Sequence, residues 1–337
     1  MRSRNLQRVL GTLALLLAAL AATLTTAPAA GASVPDGAIG RGEVMDRSWS
    51  WVAEQVPYSW DGCHENQYGC YRPDCSGFVS MAWNLSRALT TWDLWNVTYD
   101  IPASDLQPGD ALLMDVDGGT HHVALFVRWA DPAHTQPVVR EEYDFGHVAE
   151  ERVWGNGLRG FAPRRYNQLD DRIPYGTIAV KYDSMGGPNG VLGAPATGER
   201  DSALGGRFQV FQNGMIIWHP DVAYAVRGDI LQRFWATDAE RRWGFPTMDE
   251  ADASTAPDGT RGRYQFFEHA LFLWSPKTGT HIVHDAIYDA FHAAGHEAAL
   301  GYPTTDETTE PGGVKQVFQK ATIHWSAADN HTWITTN

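Results

Sequence analysis

The feature that most constrains the fold of this chain is a four-residue turn motif that occurs three times in its second half. The copies span 192–195, 243–246 and 300–303, each with glycine second and proline fourth. Other residues recur in the same order after each turn: the glutamates Glu199, Glu250 and Glu307, the glutamines Gln209, Gln265 and Gln316, the phenylalanines Phe211, Phe267 and Phe318, and the tryptophans Trp218, Trp274 and Trp325. Such units stack side by side, because one unit alone cannot bury its aromatic face.

Each repeat is predicted to contain a helix, a tight turn and a β-hairpin. Helical stretches lie between the copies, at 230–235 and 287–291. The turn glycines would adopt backbone angles closed to other residues, and the prolines stiffen the turns; these glycines are Gly193, Gly244 and Gly301. We therefore expect residues 168–337 to form an array of three helix–turn–β-hairpin repeats. We expect the tryptophans to face the core, because packing requires the same fixed spacing.

The N-terminal 32 residues have the features of a secretory signal peptide. Arg2, Arg4 and Arg8 precede an apolar run over 9–24, and a small-residue cleavage pattern follows at 30–32. The run is short and interrupted, which disfavours a membrane anchor. We expect this segment to be removed on export, so that the protein works outside the cell without a membrane anchor.

The charge of the chain limits its partners. The sequence has 26 Lys+Arg and 40 Asp+Glu, a formal charge of −14, and loss of the three signal-peptide arginines changes it to −17. So acidic a surface disfavours nucleic acid and anionic membranes as partners. We expect a monomer without a cofactor.

Residues 33–167 are predicted to form an α+β domain. Amphipathic periodicity indicates one helix over 42–56, and a second is predicted from Cys75 to about Leu89. Strands are predicted over 111–114, 121–129 and 138–143, with a hairpin turn at 117–119. This order of elements predicts helices packed on an antiparallel sheet.

Three cysteines leave one thiol unpaired if the other two form a disulfide. Cys63 and Cys70 lie seven residues apart in one loop-like stretch, and an exported protein would retain a bridge between them. Cys75 is then the free thiol, and a bridge that uses Cys75 is the alternative. Cys75 begins the second predicted helix, where the helix dipole favours thiolate over thiol. A zinc site is disfavoured, because the spacing is not that of a zinc finger and His64 is the only nearby nitrogen ligand.

A thiolate nucleophile needs a base and a group that orients the base. His121 and His122 begin a strand with two apolar faces, so alternation does not decide between them. On the next strand Glu141 lies on the more core-like face, and we prefer it as the orienting group, with Glu142 as the alternative. The alternative interpretation is non-catalytic: Cys75 would be a buried residue of the core, and His121 and His122 would be hydrogen-bonded surface residues.

Four short motifs follow one another along this domain. They are Tyr58-Ser59-Trp60, Asp74-Cys75-Ser76-Gly77-Phe78-Val79, Leu106-Gln107-Pro108-Gly109-Asp110 and His122-Val123-Ala124-Leu125-Phe126. Together they resemble the ordered motifs of NlpC-type cell-wall cysteine peptidases. The resemblance implies a papain-like α+β fold and hydrolysis of amide bonds in peptidoglycan stem peptides. It implies that Cys75 is the nucleophile, that His122 is the general base and acid, and that Tyr58 lies near the oxyanion site.

Two positions depart from the pattern of that family. The third catalytic position is usually His, Asn or Gln, whereas the matching strand here offers Glu141 and Glu142. Ala124 stands where glycine is commoner. A carboxylate can orient an imidazole, so both departures are compatible with activity and leave the substrate open.

The three turn motifs resemble the LGFP repeats of exported actinobacterial proteins, although Ala194 stands at the aromatic position of the first copy. The resemblance implies an array that holds the catalytic domain on the cell wall, with peptidoglycan or another wall polymer as the partner.

Other functions stay open from the sequence. The chain could be a non-catalytic wall-binding protein, or an amidase or acyltransferase of the same scaffold acting on a different amide. A metal-dependent hydrolase that uses His121, His122 and Glu141 is disfavoured, because adjacent histidines on a strand point apart. We expect no metal site.

Overall fold

The computed structural model of the protein describes residues 33–115 and 121–337. The predicted signal peptide and the predicted hairpin turn at 117–119 lie outside the described residues. Residues 34–337 form one compact unit. Among the described residues, no helix has the length and apolar character needed to cross a bilayer.

The first half of the described chain is an α+β structure, as predicted. Its helices are α1 (Arg41–Glu54), α2 (Cys75–Ala82) and α3 (Thr91–Asn96). Its strands are β1 (His64–Asn66), β2 (Gly69–Tyr71), β3 (Thr98–Asp100), β4 (Ala111–Asp115), β5 (His121–Trp129), β6 (Pro137–Glu141), β7 (Glu150–Val153) and β8 (Ala162–Tyr166). Six of these strands form one antiparallel sheet in the order β3-β8-β4-β5-β6-β7.

Strand β5 is central to the packing because both of its faces are apolar. Val123 and Leu125 belong to the core that contains helices α1 and α2, including Trp51 and Phe78. The alternate residues of β5, such as Phe126, belong to a second core on the other face of the sheet. A strand buried on both faces has a fixed position, and β5 begins at the two histidines singled out from the sequence.

Helix α2 is shorter than predicted, because it ends at Ala82 and not near Leu89. Asn84 adopts a left-handed backbone conformation (φ 54°), which ends the helix and which asparagine tolerates better than most residues. Leu85 and Leu89 are buried outside the helix, so their apolar character did not report helical structure.

The stretch between Cys63 and Cys70 is a small β-hairpin and not a loop. Strands β1 and β2 pair antiparallel, with Glu65 opposite Cys70. A disulfide joins Cys63 and Cys70, as predicted, and Cys75 is the free cysteine of the described chain.

The second half contains three sheets, each preceded by a helix. Its helices are α4 (Gly176–Ser184), α5 (Gly228–Ala236), α6 (Ala239–Trp243), α7 (Asp285–Ala293) and α8 (His296–Leu300). Its strands are β9 (Arg200–Asp201), β10 (Arg207–Phe211), β11 (Gly214–Trp218), β12 (Ala223–Arg227), β13 (Ala251–Asp252), β14 (Arg263–Phe267), β15 (Ala270–Ser275), β16 (Gly279–Val283), β17 (Thr308–Glu310), β18 (Gly313–Val317), β19 (Ala321–Ser326) and β20 (His331–Thr336).

Each sheet has four antiparallel strands, so the predicted β-hairpin is only the inner pair of a larger meander. The prediction missed the outer strands for two reasons. The strand before each hairpin has only two or three residues, and the strand after it does not carry the recurring Phe and Trp. The turn glycines have positive φ angles of 69°, 71° and 76°, so glycine is required at these turns.

A buried glutamine joins each repeat to the segment before it. Gln265 donates to the carbonyl of Ala225 in β12 (2.9 Å), and Gln316 donates to that of Ile282 in β16 (2.9 Å). The equivalent Gln209 donates to the carbonyl of Arg172 (2.8 Å), which precedes α4. The segment around Arg172 therefore occupies the position that the last strand of a preceding repeat would fill.

That segment is also fixed to the first half of the chain. The buried Arg41 of α1 lies 3.0 Å from Asp110 and 2.6 Å from Asp171. Arg165 of β8 contacts the same two carboxylates, at 2.8 and 3.3 Å. Two arginines and two aspartates thus link α1, the start of β4, β8 and the linker.

Candidate active site

Cys75 is the first residue of α2, and Asp74 caps the helix. The Asp74 carboxylate accepts hydrogen bonds from the backbone N–H of Gly77 (2.7 Å) and from the hydroxyl of Ser76 (3.1 Å). Arg72 forms an ion pair with the same carboxylate. The cap fixes the first turn of the helix, and it holds the thiol at the positive end of the helix dipole.

Gly77 is required by close packing within the same turn. A Cβ at this position would lie 1.8 Å from the carbonyl oxygen of Arg72. The glycine of the Asp-Cys-Ser-Gly motif therefore lets the segment before the helix pass close to its first turn.

His122 lies beside Cys75 and is 8% exposed. Its Nε2 is 2.6 Å from Oε2 of Glu141, which leaves Nδ1 for the thiol. Burial alone would lower the pKa of His122, but hydrogen bonds to Cys75 and Glu141, together with their negative charges, raise it to about 9. The imidazole is therefore held in its charged form beside the Glu141 carboxylate.

Glu141 ends β6 and is completely buried. Its second carboxylate oxygen, Oε1, accepts from Arg152 Nε (2.5 Å) and from Trp154 Nε1 (2.8 Å). Burial would raise the pKa of Glu141, but the hydrogen bonds from His122, Trp154 and Arg152 outweigh it and lower the pKa. Glu141 is thus a fixed anion with both oxygens used.

Glu142, the alternative third residue, is also completely buried, but its environment is different. Neither carboxylate oxygen has a hydrogen-bond partner among the described residues. Burial and the nearby charge of Asp74 raise the pKa of Glu142 to about 8. Among the described residues, Glu141 forms a hydrogen bond with His122 and Glu142 does not.

Tyr58 is close enough to Cys75 for the two side chains to interact electrostatically. Trp60 Nε1 donates to the Tyr58 hydroxyl (2.9 Å), so the tyrosine keeps its own proton for a further acceptor. Burial, followed by the charges of Cys75 and Asp74, raises the pKa of Tyr58 to about 12. The ring of Phe145 packs edge-on against Tyr58 at 5.1 Å.

The sequence prediction missed Arg152 and Trp154, the two donors that fix Glu141. They lie on β7 and just after it, more than ten residues along the chain from Glu141. Only the antiparallel pairing of β6 with β7 brings them together. No local motif marks either residue, so the sequence offered no signal for them.

This arrangement brings together three kinds of group. A cysteine at a helix start lies beside a protonated imidazole, and Nε2 of that imidazole is 2.6 Å from a buried carboxylate. Cysteine hydrolases use the same three groups: a thiolate attacks a carbonyl carbon, an imidazole transfers the proton, and a third group orients the imidazole.

Comparison with known families agrees with this class. Residues 55–155 match the NlpC/P60 family, and residues 192–241, 244–298 and 300–337 match the LGFP repeat. The chain thus carries an NlpC/P60 domain followed by three LGFP repeats, in the predicted order. The NlpC/P60 family consists of cysteine peptidases and amidases. A search of curated proteins found no match.

Proposed function

We propose that this protein is an exported cysteine peptidase or amidase that hydrolyses amide bonds in the stem peptides of peptidoglycan. The catalytic domain spans 33–167, and the repeats of 168–337 bind the cell wall. The observation that carries the catalytic proposal is the placement of His122 beside Cys75 at the start of α2, with His122 Nε2 2.6 Å from the buried Glu141 carboxylate.

In the proposed reaction the Cys75 thiolate attacks the carbonyl carbon of the amide, and the carbonyl oxygen becomes an oxyanion. The backbone N–H of Cys75 and the hydroxyl of Tyr58 are the proposed donors to that oxyanion. The C–N bond then breaks as the His122 imidazolium donates a proton to the leaving amine. This step leaves a thioester on Cys75 and a neutral imidazole.

A water molecule completes the cycle. Neutral His122 removes a proton from the water, which attacks the thioester carbon. The C–S bond breaks, the acid product leaves, and the thiolate and imidazolium return. Glu141 keeps the imidazole oriented through both steps and stabilises its positive charge.

Digestion of soluble muropeptides by the purified protein tests this proposal. We expect new amine and carboxylate termini by mass spectrometry, and loss of turnover in Cys75→Ala and His122→Ala. His134→Ala is the matched control, because His134 is exposed and stacks on Trp129. A thiol alkylator should inhibit and a chelator should not. Turnover that persists in Cys75→Ala would contradict the cysteine mechanism.

The wall-binding part of the proposal needs a separate test. Full-length Cys75→Ala protein should sediment with purified, insoluble cell walls, since it can bind but not cleave. Protein that stays in the supernatant at every wall concentration would contradict wall binding and would leave the catalytic proposal unaffected.

A further inference from the structure

Two grooves lie at the junctions between successive repeats. The first junction groove has a volume of about 310 Å³, and its lining includes Arg227, Asp229, Glu250, Arg263 and Trp274. The second junction groove has a volume of about 360 Å³, and its lining includes Asp285, Ile287, Glu307, Val314, Trp325 and Asn330. Both are open clefts large enough for one or two sugar rings and not for a folded partner.

The two grooves are built from equivalent positions of the repeat. Each is lined by the glutamate four residues after the turn proline, Glu250 or Glu307. Each is also lined by the tryptophan seven residues after the recurring phenylalanine, Trp274 or Trp325. The start of the preceding helix, α5 or α7, completes each groove. The array therefore presents the same kind of site twice.

The sequence predicted that the recurring tryptophans face the core, and for Trp274 and Trp325 this prediction is only partly right. Trp274 and Trp325 pack against the apolar cores of their repeats, yet both are half-buried and line a groove. Trp274 Nε1 donates to Asp229 (2.6 Å), and Trp325 Nε1 donates to Asn330 (2.8 Å). Each indole is thus held in a fixed orientation before any ligand binds, which lowers the entropic cost of binding.

The charges in the grooves disfavour an anionic ligand. In the first junction groove Glu250 lies 2.6 Å from Arg263 and 3.2 Å from Arg227. Asp229 also lines this groove, so its two acidic and two basic side chains have a net charge of zero. Of the described residues that line the second junction groove, two are acidic and none is Lys or Arg. A phosphate-rich polymer would be repelled there, whereas an uncharged ligand fits both grooves.

We propose that each junction groove binds an uncharged sugar unit of the glycan strand of peptidoglycan. The apolar face of the ring would pack on the indole, and its hydroxyls would pair with the carboxylates, guanidinium groups and amide of the groove. This inference rests on the proposed function, because the glycan strand carries the stem peptides that the catalytic domain would cleave. Two sites on one chain raise the avidity for a polymer well above the affinity of one site.

The test uses an uncharged β-1,4-linked oligomer of N-acetylglucosamine, the neutral sugar of the glycan strand, so that the catalytic site has no stem peptide to bind. Full-length Cys75→Ala protein is the reference. We expect Trp274→Ala and Trp325→Ala each to weaken binding about tenfold, and the double variant to weaken it further. Trp333→Ala is the matched control, because Trp333 is a 41%-exposed tryptophan of the same array that stacks on His324 and does not line the second junction groove.

Because Trp274 and Trp325 also contact the core, a second variant guards against misfolding. Asn330 is exposed and has a positive φ of 51°, so Asn330→Gly removes the amide that holds Trp325 without backbone strain. We expect several-fold weaker binding with an unchanged melting temperature. Unchanged affinity in the double tryptophan variant, or binding to phosphate-containing wall polymers but not to the oligomer, would overturn the proposal.

The outcome is separable from that of the proposed function. Cleavage of free stem peptides, which carry no sugar, by wild-type protein tests the proposed function apart from the tryptophan variants. Loss of oligomer binding in these variants would support the groove assignment even if the protein showed no peptidase activity.

Discussion

Two adjacent glutamates, Glu141 at the end of β6 and Glu142 directly after it, have pKa values shifted in opposite directions because their surroundings differ. Glu141 accepts hydrogen bonds from His122, Arg152 and Trp154, and its pKa is lowered. Glu142 is buried without a partner among the described residues, and its pKa is raised to about 8. Near neutral pH Glu141 is therefore an anion, whereas Glu142 is largely a neutral acid.

Replacing Glu141 with glutamine should lower kcat for muropeptide hydrolysis by about 10² to 10⁴-fold. The amide keeps the size of the side chain, but its NH₂ group can donate to His122 Nε2 and stabilise the wrong tautomer.

The pH dependence of the wild type follows from His122, which has a pKa of about 9. Its proton is needed by the leaving amine, so kcat/KM should fall as the pH rises through about 9. Because Glu141 raises that pKa, the alkaline limb of the variant should move to lower pH.

Rate measurements from pH 6 to 10 check both effects. Glu150→Gln is the matched control. Glu150 is partly exposed, and among the described residues it forms an ion pair with Arg152 but no hydrogen bond with His122. A Glu141→Gln enzyme with wild-type kcat would show that the carboxylate does not orient the base.

Replacing Glu142 with glutamine should stabilise the protein at alkaline pH. The folded state holds the proton of Glu142 up to a pKa of about 8, whereas the unfolded state loses it near 4.5. Folding stability therefore falls as the pH rises between these values, by at most about 5 kcal/mol, and the loss is complete above pH 8. Glutamine does not ionise, so the gain in melting temperature should grow from pH 5 to pH 9. An offset between variant and wild type that does not change with pH would contradict this.

At the scale of elements, α2 and β5 carry Cys75 and His122, and the starts of both elements could be predicted from the sequence. The Asp-Cys-Ser-Gly motif predicted the start of α2, and the histidine pair predicted the start of β5. The end of α2 was not predictable, because Asn84 stops the helix through its backbone conformation while apolar residues continue beyond it. The partners of Glu141 were not predictable either, since the pairing of β6 with β7 is a tertiary contact.

The tight packing at the start of α2 predicts that Gly77→Ala is severely destabilising. The added Cβ would lie 1.8 Å from a backbone oxygen of Arg72, so the helix start must shift. We expect a loss of about 3 kcal/mol or more and little remaining turnover, measured by urea unfolding and muropeptide digestion. Gly155→Ala is the matched control, because nothing lies within 4 Å of its added Cβ, and its stability should change by less than about 0.5 kcal/mol. Equal stability of the two variants would contradict the packing argument.

At the scale of the whole molecule, the linker before α4 takes the place of a repeat. Asp249 and Asp306, each three residues after a turn proline, accept the backbone N–H of Ala225 (2.8 Å) and Ile282 (3.1 Å) in the preceding strand. The first repeat has Gly198 at this position, and a Cβ there would lie 2.8 Å from Asp171 of the linker. The linker aspartate thus fills the space and turns its carboxylate to the arginines of the first half of the chain.

The side chain of Gln209 should therefore control the local stability of the linker. Gln209→Ala removes two hydrogen bonds of 2.8 Å, to the carbonyls of Arg172 and Thr197. Amide hydrogen exchange over 168–175 should become about ten- to a hundredfold faster, because two carbonyls lose a buried partner. Gln67→Ala is the matched control, since Gln67 is exposed in the β1–β2 turn. Unchanged exchange over the linker would show that other contacts alone hold it.

The contacts of the linker also have a consequence for the number of repeats that such a protein can carry. Gln209 donates a hydrogen bond to a carbonyl of the linker, just as Gln265 and Gln316 donate to carbonyls of the preceding repeats. Duplicating or deleting one internal unit would therefore leave the joint to the NlpC/P60 domain intact. Gene duplication or protein engineering could change the number of repeats without altering that domain.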